Sequence, residues 1–156
     1  MLIRRATPDD VPAIRALEQQ AETAAHWKER EYGALFAAEA PPRIALVATE
    51  ADTGSVISFV IARCATGEWE IENVVVAPEQ RKRGIGIKII RELVLRAKHA
   101  GATSVLLEVR ESNLAARRLY EKVGFSYQGQ RSGYYQHPQE YALLLRFPLQ
   151  ICDKIP

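Results

Sequence analysis

The sequence contains few of the residues that build metal sites or disulfide frameworks. Its 156 residues include two cysteines, Cys64 and Cys152, which lie far apart and outside any CxxC pattern. The three histidines, His26, His99 and His137, are scattered along the chain. This pattern argues against a zinc motif and predicts reduced thiols in a cytoplasmic protein without a bound metal.

Long apolar runs and a strong excess of one charge are also missing. No run approaches the ~18 apolar residues that a membrane-spanning helix needs, and the N-terminal MLIRRATPDD lacks the apolar centre of a signal peptide. The 21 Lys and Arg residues nearly balance 19 Asp and Glu residues, which leaves a net charge of +2. Binding to nucleic acid through overall charge is therefore not expected, and any anion site must be local.

Strand-like and helix-like patterns alternate along the chain without a linker or repeat. A strand–helix–strand unit at the centre predicts an α/β (α+β) three-layer sandwich, with one domain over residues 1–149 and a tail over 150–156. Thr7 and Pro8 predict the start of the first helix, and a second helix is expected over 27–38. Strand patterns cover 2–5, 43–50, 55–65, 68–76, 104–109, 125–131 and 140–147.

The segment RKRGIG, residues 81–86, joins a strand to an amphipathic helix and concentrates three cations beside two glycines. The first N–H groups of a helix have no partner inside it, and they attract anions. In this position the segment favours a pyrophosphate-binding loop over a plain basic turn. It lacks the GK[ST] of a P-loop and the GxGxxG of a dinucleotide fold.

Two further segments carry candidate catalytic groups. Glu108 interrupts the apolar strand of LLEVRESN, where a carboxylate is costly unless it is solvated or paired. It fits a general base and equally a structural ion pair with Arg110 or Arg118. In SNLAARRLYEKVGF, Asn113 and Tyr120 lie seven residues apart and share a helix face. Tyr120 fits a proton donor, although such tyrosines more often only pack.

Together these segments resemble the GNAT superfamily of acetyl-CoA-dependent N-acetyltransferases. NVVVAPEQRKRGIG is similar to the family's fourth strand and its (R/Q)xxGx(G/A) pyrophosphate loop, and LEVRESNLAARRLYEKVGF is similar to the next strand and helix. The LEVRxSN pattern, the LYEKVGF signature and the paired Tyr134 and Tyr135 resemble the RimI-type, ribosomal-protein-alanine group. The resemblance implies a mixed, mostly antiparallel central sheet flanked by helices.

The resemblance also implies roles for individual residues. Glu108 corresponds to the general base and Tyr120 to the general acid, while Asn113 would bond the cofactor arm. Glu72 is a second candidate base, and it would lie with Tyr134 and Tyr135 on the side where the acceptor binds. The implied acetyl-CoA contacts are Val74, Val75 and Val76 along the pantetheine arm, and Arg81, Lys82, Arg83, Gly84, Ile85, Gly86 and Ile87 around the pyrophosphate.

The resemblance implies an enzyme that acetylates a protein N-terminus, with the N-terminal alanine of a small-subunit ribosomal protein as the leading acceptor. A GNAT enzyme acting on a lysine, another N-terminus, a polyamine or an aminoglycoside stays open, as does a non-catalytic acetyl-CoA sensor. The expected partners are acetyl-CoA and a peptide N-terminus, with no nucleic acid and no membrane. A monomer or weak dimer is expected.

Overall fold

The computed structural model describes residues 1–22, 24–38, 42–65, 67–136 and 139–149, with 132–136 and 139 described as backbone alone. The predicted tail, 150–156, lies outside the described residues. The strands are β1 (Leu2–Arg5), β2 (Arg43–Thr49), β3 (Val56–Ala65), β4 (Glu68–Val76), β5 (Ser104–Arg110), β6 (Ser126–Gln136) and β7 (Gln139–Pro148). The helices are α1 (Val11–Gln20), α2 (Glu29–Ala34), α3 (Ile85–His99) and α4 (Leu114–Val123).

The strands form one sheet in the order β1-β2-β3-β4-β5-β7-β6. Among the described strands, β4 and β5 are parallel and every other neighbouring pair is antiparallel. The helix α3 makes the crossover between β4 and β5, because parallel neighbours cannot be joined by a tight turn. The predicted mixed sheet with helices on both sides is therefore confirmed.

The α1/α2 face of the sheet is one of two apolar layers. Ile14 and Leu17 of α1 and Tyr32 of α2 pack on Val47, Phe59 and Ile61 of the central strands. Thr7 is the N-cap at the start of the first helix, as predicted. The first turn of that helix, Pro8–Asp10, is a 3₁₀ turn, and α1 follows it. The carboxylate of Asp10 accepts hydrogen bonds from the two terminal guanidinium nitrogens of Arg4, at 2.8 and 2.9 Å. These bonds connect the 3₁₀ turn to β1.

The α3/α4 face carries the larger apolar layer. Ile89, Ile90 and Leu93 of α3 are fully buried in it, as their helical spacing predicts. Tyr120 of α4 belongs to the same cluster. Gly124 ends α4 with a φ of 122°, a conformation that glycine adopts without a steric cost.

Three predicted elements differ in length from the structure. The helix expected over 27–38 covers only Glu29–Ala34; it begins after Lys28, and the backbone N–H of Trp27 donates to Glu18 of α1 at 2.7 Å. The last two strands are longer than expected, since their pairing continues to Gln136↔Gln139 at the hairpin end. Neither contact is visible in local sequence patterns.

Candidate active site

The parallel strands β4 and β5 pair over only part of their length. Their register runs from Glu68↔Ser104 to Ile71↔Leu107, although β4 continues to Val76 and β5 to Arg110. Both strands are fully described, so they diverge after that last pair. We call the resulting opening the β4/β5 cleft.

A β-bulge at Glu72 coincides with the start of the cleft. Ile61 of β3 pairs with Asn73, and Ala62 pairs with Ile71, which leaves Glu72 without an opposite residue. The extra residue bends the strand and reverses which side chains face which layer. Ile71 therefore lies in the α3/α4 layer, whereas Val75 lies in the α1/α2 layer. Strict alternation along a strand would place Ile71 and Asn73 on one face, and the bulge places them on opposite faces.

Beyond the bulge, the backbone of β4 directs alternate residues into the cleft. The N–H of Ala77 donates to Ile57 of β3 at 2.9 Å, so Ala77 and Val75 direct their backbone groups towards β3. The backbone groups of Val74 and Val76 consequently point towards the cleft. Of the three valines expected to contact a pantetheine arm, Val74 and Val76 direct their backbone groups into the cleft, and Val75 directs its backbone groups towards β3.

The loop from Arg81 to Gly84 leads from this strand edge into α3. Lys82 and Gly84 both have left-handed backbones, with φ values of 60° and 77°. The first helical bond of α3 runs from Lys88 N–H to Gly84 oxygen, at 3.1 Å. The N–H groups of Ile85, Gly86 and Ile87 precede that bond at the positive end of a 15-residue helix. The predicted anion loop therefore has the backbone geometry that a pyrophosphate requires.

The two glycines of this loop serve different purposes. Gly84 has open space around it and a positive φ, so its backbone conformation is the reason for glycine. A Cβ on Gly86 would lie 3.2 Å from a methyl group of Leu119 on α4. Gly86 therefore permits the close approach of α3 and α4.

The arginines of the loop are exposed and are anchored at its base. Arg81 Nε donates to the carbonyl of Val76 at 3.3 Å, and Arg83 donates to the side chain of Gln80 at 3.2 Å. Lys82 lies between them on the same exposed stretch. The three cations surround the N-terminus of α3, as the sequence predicted.

Two carboxylates flank the start of the cleft. Glu72 follows Ile71 on β4 and Glu108 follows Leu107 on β5, so each is the first residue after the last parallel pair. Leu107 packs in the α3/α4 layer, which places Glu108 on the opposite, α1/α2 face. Glu72 lies on the α1/α2 face too. It binds Arg43, whose guanidinium lies 5.5 Å from the ring of Trp27, and Trp27 packs against the α1/α2 layer.

Each carboxylate has an arginine partner, and the two ion pairs differ. Arg43 holds Glu72 through two bonds of 2.7 and 3.2 Å, with side chains that are 27% and 18% exposed. This hydrogen bond raises the pKa of Arg43 above its usual value, against an opposing effect of burial. A guanidinium nitrogen of Arg131 lies 3.0 Å from Glu108, and this arginine side chain is 62% exposed.

The partner of Glu108 is not the one expected from the sequence. Arg110 lies 4.0 Å from Glu140 of β7, and Arg131 of β6 takes the place that was expected for Arg110 or Arg118. The β5–β7–β6 register explains this, because Arg110 and Arg131 both pair with the small Ala142. A long side chain on β6 can therefore cross β7 to β5.

Tyr120 reaches the site from the other face. It is buried on α4 and packs against Phe125, with ring centroids 5.7 Å apart. Since Glu108 lies on the α1/α2 face, the candidate base and the candidate acid are on opposite sides of the sheet. The β4/β5 cleft is the opening that leads from one side towards the other.

The turn between β5 and α4 is fixed from two directions. Asn113 is the N-cap of α4, and its side-chain oxygen accepts the N–H of Ala116 at 3.2 Å. Ser112 donates its hydroxyl to Glu140 of β7 at 2.8 Å. Asn113 is thus held beside the cleft by contacts within the protein.

Several contacts around the cleft have no local sequence signal. Glu18 is buried on α1 and accepts the side-chain amide of Asn73 at 2.9 Å, which fixes the strand just beyond the bulge. Glu70 is paired with Arg63, and Glu68 accepts a hydrogen bond from the hydroxyl of Ser104. The ion pairs of Arg43 with Glu72 and of Arg131 with Glu108 can be recognised only when the strand register is known. The side chains of Tyr134 and Tyr135 on β6 lie outside the described part of the chain.

Within the described residues, no group of three or more His, Cys, Asp or Glu side chains is arranged to hold a metal ion. No helix in the described part of the chain combines the length and apolarity needed to cross a bilayer.

A mixed sheet whose central parallel strands diverge beside a helix-terminal anion loop defines the acyl-CoA N-acyltransferase class of fold. The crystal structure of the ribosomal-protein-alanine N-acetyltransferase from Escherichia coli is similar to this chain, with a TM-score of 0.84 and 25% identity over 99% of this chain and 97% of that one. A spermidine N-acetyltransferase from Vibrio cholerae shares the fold at 17% identity, with a TM-score of 0.80 over 95% of both chains.

Residues 11–125 match the acetyltransferase (GNAT) family, and the chain belongs to that family. A [Ribosomal protein bS18]-alanine N-acetyltransferase from Salmonella typhimurium is 31% identical over 144 residues, which cover 91% of this chain and 93% of the relative. Family membership confirms the expected N-acetyltransferase class and acetyl-CoA as the acetyl donor.

Proposed function

We propose that this protein acetylates the α-amine of a protein N-terminus in the cytoplasm, and that its acceptor is the N-terminal alanine of a small-subunit ribosomal protein. The observation that carries the proposal is the placement of the candidate groups on two faces of one cleft. The names of the Salmonella and Escherichia coli relatives support the acceptor.

The cofactor side of the cleft fits acetyl-CoA. The unsatisfied N–H groups at the start of α3 and the exposed Arg81, Lys82 and Arg83 suit a pyrophosphate. The backbone groups of Val74 and Val76 point into the cleft, where they can form hydrogen bonds with the amide groups of a pantetheine arm. Asn113 lies beside the same opening. When bound, acetyl-CoA supplies a thioester with an electrophilic carbonyl carbon. A backbone N–H of β4 that points into the cleft suits the oxygen of that carbonyl, which gains negative charge during attack.

The acceptor side fits an ammonium group that must lose one proton before its nitrogen can attack. Glu108 faces the α1/α2 side at the start of the cleft, and its carboxylate accepts the proton of the incoming ammonium, directly or through one water. An α-ammonium has a reference pKa near ~8, so this proton is easily removed. The free amine then forms the amide bond as the carbon–sulfur bond breaks.

Tyr120 returns a proton to the departing thiolate from the α3/α4 side. Nitrogen loses two protons in all: the ammonium gives the first to Glu108, and the second leaves as the amide forms and restores the phenol of Tyr120, which has given its own proton to the sulfur. A neutral phenol near pH 7 is a proton donor, as its reference pKa is ~10. No covalent enzyme intermediate is needed in this direct transfer.

Glu108 is a better base than Glu72 in this arrangement. Glu72 is held by two bonds to a half-buried arginine, whereas the arginine beside Glu108 is 62% exposed. A proton acceptor must leave its counter-ion, and ion pairs with an exposed arginine are the weaker ones. We therefore assign Glu72 to the wall of the acceptor site.

Acetylation of synthetic peptides, followed by mass spectrometry, tests this function. The panel contains peptides of one sequence that begin with Ala, Ser, Gly or Met, each with a free or a blocked N-terminus and one internal lysine. Spermidine and an aminoglycoside complete it, with the Glu108→Gln variant as the enzyme control. We expect one acetyl group on the free α-amine and the fastest turnover with alanine. Modification of the lysine, of spermidine or of the aminoglycoside alone would overturn the proposed acceptor, and absence of turnover on every amine would indicate an acetyl-CoA sensor.

A further inference from the structure

One carboxylate oxygen connects helix α1 to the strand that lines the cleft. Oε1 of Glu18 accepts the side-chain amide of Asn73 at 2.9 Å and the backbone N–H of Trp27 at 2.7 Å. Asn73 follows the bulge of β4 and is 55 residues from Glu18 in sequence. We propose that Glu18 is a positioning residue for the reaction, which acts through Asn73 on the backbone N–H of Val74. This inference rests on the proposed function, in which an N–H of β4 binds the thioester oxygen.

A single peptide group leads from Asn73 to the cleft. The N–H of Val74 lies in the same planar unit as the Cα of Asn73, so a rotation or shift of Asn73 moves this N–H directly. Asn73 pairs with Ile61 of β3, and the next residue turns its backbone groups to the other side, into the cleft. Holding the side chain of Asn73 therefore sets the direction of the Val74 N–H.

The segment of β4 beyond the bulge needs such a restraint. The parallel pairing with β5 ends at Ile71↔Leu107, so from Asn73 onward β4 is paired with β3 alone among the described strands. The bulge at Glu72 also interrupts the ladder on the β3 side. A strand segment with fewer ladder bonds is held less firmly than a central strand. A side-chain bond to a carboxylate supplies part of the missing restraint.

Glu18 is itself held in place. Glu18 and Asn73 are 3% and 4% exposed, so water does not readily replace the bond between them. Ile14 and Leu17 of the same helix are buried in the α1/α2 layer, which fixes α1 on the sheet. The N–H of Trp27 holds the same carboxylate oxygen from the segment that follows α1.

Four variants separate alignment of the strand from stability of the fold. Glu18→Met keeps the length of the side chain and removes the acceptor, and Asn73→Leu keeps the approximate shape and removes the donor. Glu18→Gln keeps an oxygen that can accept both N–H groups. The matched control is Asp10→Asn, because Asp10 is a buried carboxylate at the other end of α1 that binds Arg4 of β1.

The first measurement is kcat at saturating acetyl-CoA and acceptor, together with unfolding in urea. Removing an oxyanion donor outright costs about 10²–10³ in kcat, so we expect a misaligned donor to cost about ten- to a hundredfold in Glu18→Met and Asn73→Leu. The dissociation constant of acetyl-CoA should be unchanged, since the loop at the start of α3 is untouched. Glu18→Gln should keep most of the activity. Asp10→Asn should lose stability without losing kcat.

The second measurement uses no acceptor. Acetyl-CoA with an isotopically labelled acetyl carbonyl is bound to each variant, and the infrared stretching frequency of that carbonyl is recorded. A hydrogen bond to the carbonyl oxygen lowers this frequency. The wild type and Glu18→Gln should show the lowered frequency, and Glu18→Met and Asn73→Leu should show a smaller shift. If the enzyme acetylates a lysine or a polyamine, the proposed acceptor fails, but the infrared result still decides the role of Glu18.

Three results would overturn the proposal. Wild-type kcat and wild-type carbonyl frequency in Asn73→Leu would mean that the bond does not align the N–H of Val74. A loss of kcat in Asp10→Asn as large as that in Glu18→Met would indicate a general effect of a weakened α1. Weaker acetyl-CoA binding with unchanged kcat would make Glu18 a support for the cofactor alone. If Glu18→Met does not fold, Asn73→Leu, which retains the Trp27 bond, decides the question.

Discussion

Replacing Glu108 and Glu72 individually by Gln distinguishes the proposed base from its neighbour. Both carboxylates follow the last parallel pair of β4 and β5, and both lie on the α1/α2 face. Glu108→Gln removes a proton acceptor and breaks one contact with an exposed arginine. General-base catalysis contributes typically 10²–10⁴-fold, so we expect kcat to fall by about that factor. The free energy of unfolding should change by less than about 1 kcal/mol, since the lost ion pair is exposed.

Glu72→Gln should have the opposite profile. The substitution weakens two bonds of 2.7 and 3.2 Å and leaves the half-buried Arg43 with a neutral partner. Hydrogen bonds to charged groups are worth about 1.5–3 kcal/mol each, and the amide oxygen of Gln replaces part of one, so a loss of about 1–3 kcal/mol in unfolding free energy follows. We expect kcat to change by less than about tenfold, because the base is retained.

Two measurements decide between these profiles. Release of CoA is followed with a thiol reagent at saturating acetyl-CoA and acceptor, and unfolding is followed in urea. The calorimetric affinity for acetyl-CoA serves as a control, and both variants should match the wild type in it. A large loss of kcat in Glu72→Gln, together with near-normal turnover of Glu108→Gln, would reverse the assignment of the base.

Three further substitutions test other parts of the structure. Tyr120→Phe should lower kcat about ten- to a hundredfold with unchanged acetyl-CoA affinity, a modest factor because a thiolate leaves readily; wild-type turnover at every pH would exclude the acid role. Arg4 lowers the pKa of Asp10 by hydrogen bonding, despite opposing burial, so this carboxylate stabilises the fold above its unfolded pKa, near ~3.9, and the contribution is lost as pH falls through the lower folded value. Asp10→Asn should therefore be less stable than the wild type in urea at neutral pH, with a difference that shrinks in acid; a constant difference would contradict the linkage. Gly84→Ala should cost about 1–2 kcal/mol of stability because φ is 77° in open space, whereas Gly33→Ala, inside α2 and also in open space, should gain about 0.5–1 kcal/mol; equal effects would exclude backbone strain as the cause.

Local patterns predicted the elements whose boundaries depend on nearby residues. The helical spacing of Ile89, Ile90 and Leu93 identified the buried face of α3. The sequence failed at Trp27, whose N–H donates to Glu18 of α1 and which lies outside α2. The opposite faces of Ile71 and Asn73 follow from a bulge, which is a property of two paired strands.

The candidate site was predicted in the same uneven way. The anion loop is a contiguous segment, and its glycines, cations and helix start can all be recognised in RKRGIG. The counter-ion of Glu108 was predicted wrongly, since Arg131 is close to it only after β6 and β7 pair beside β5. Arg43 and Glu72 are likewise 29 residues apart in sequence and meet across β3.

The class of chemistry follows from contiguous residues, because a loop that binds pyrophosphate needs only a strand, two glycines and the first turn of a helix in direct succession. The same stretch of chain shows that Glu108 and Tyr120 lie on neighbouring elements after that loop. Folding of the sheet places these two groups on opposite sides of it, and brings the bulge at Glu72 to the point where β4 and β5 diverge. It also pairs each carboxylate with its arginine. Those outcomes depend on strand register, in which a shift of one residue moves every side chain to the other face.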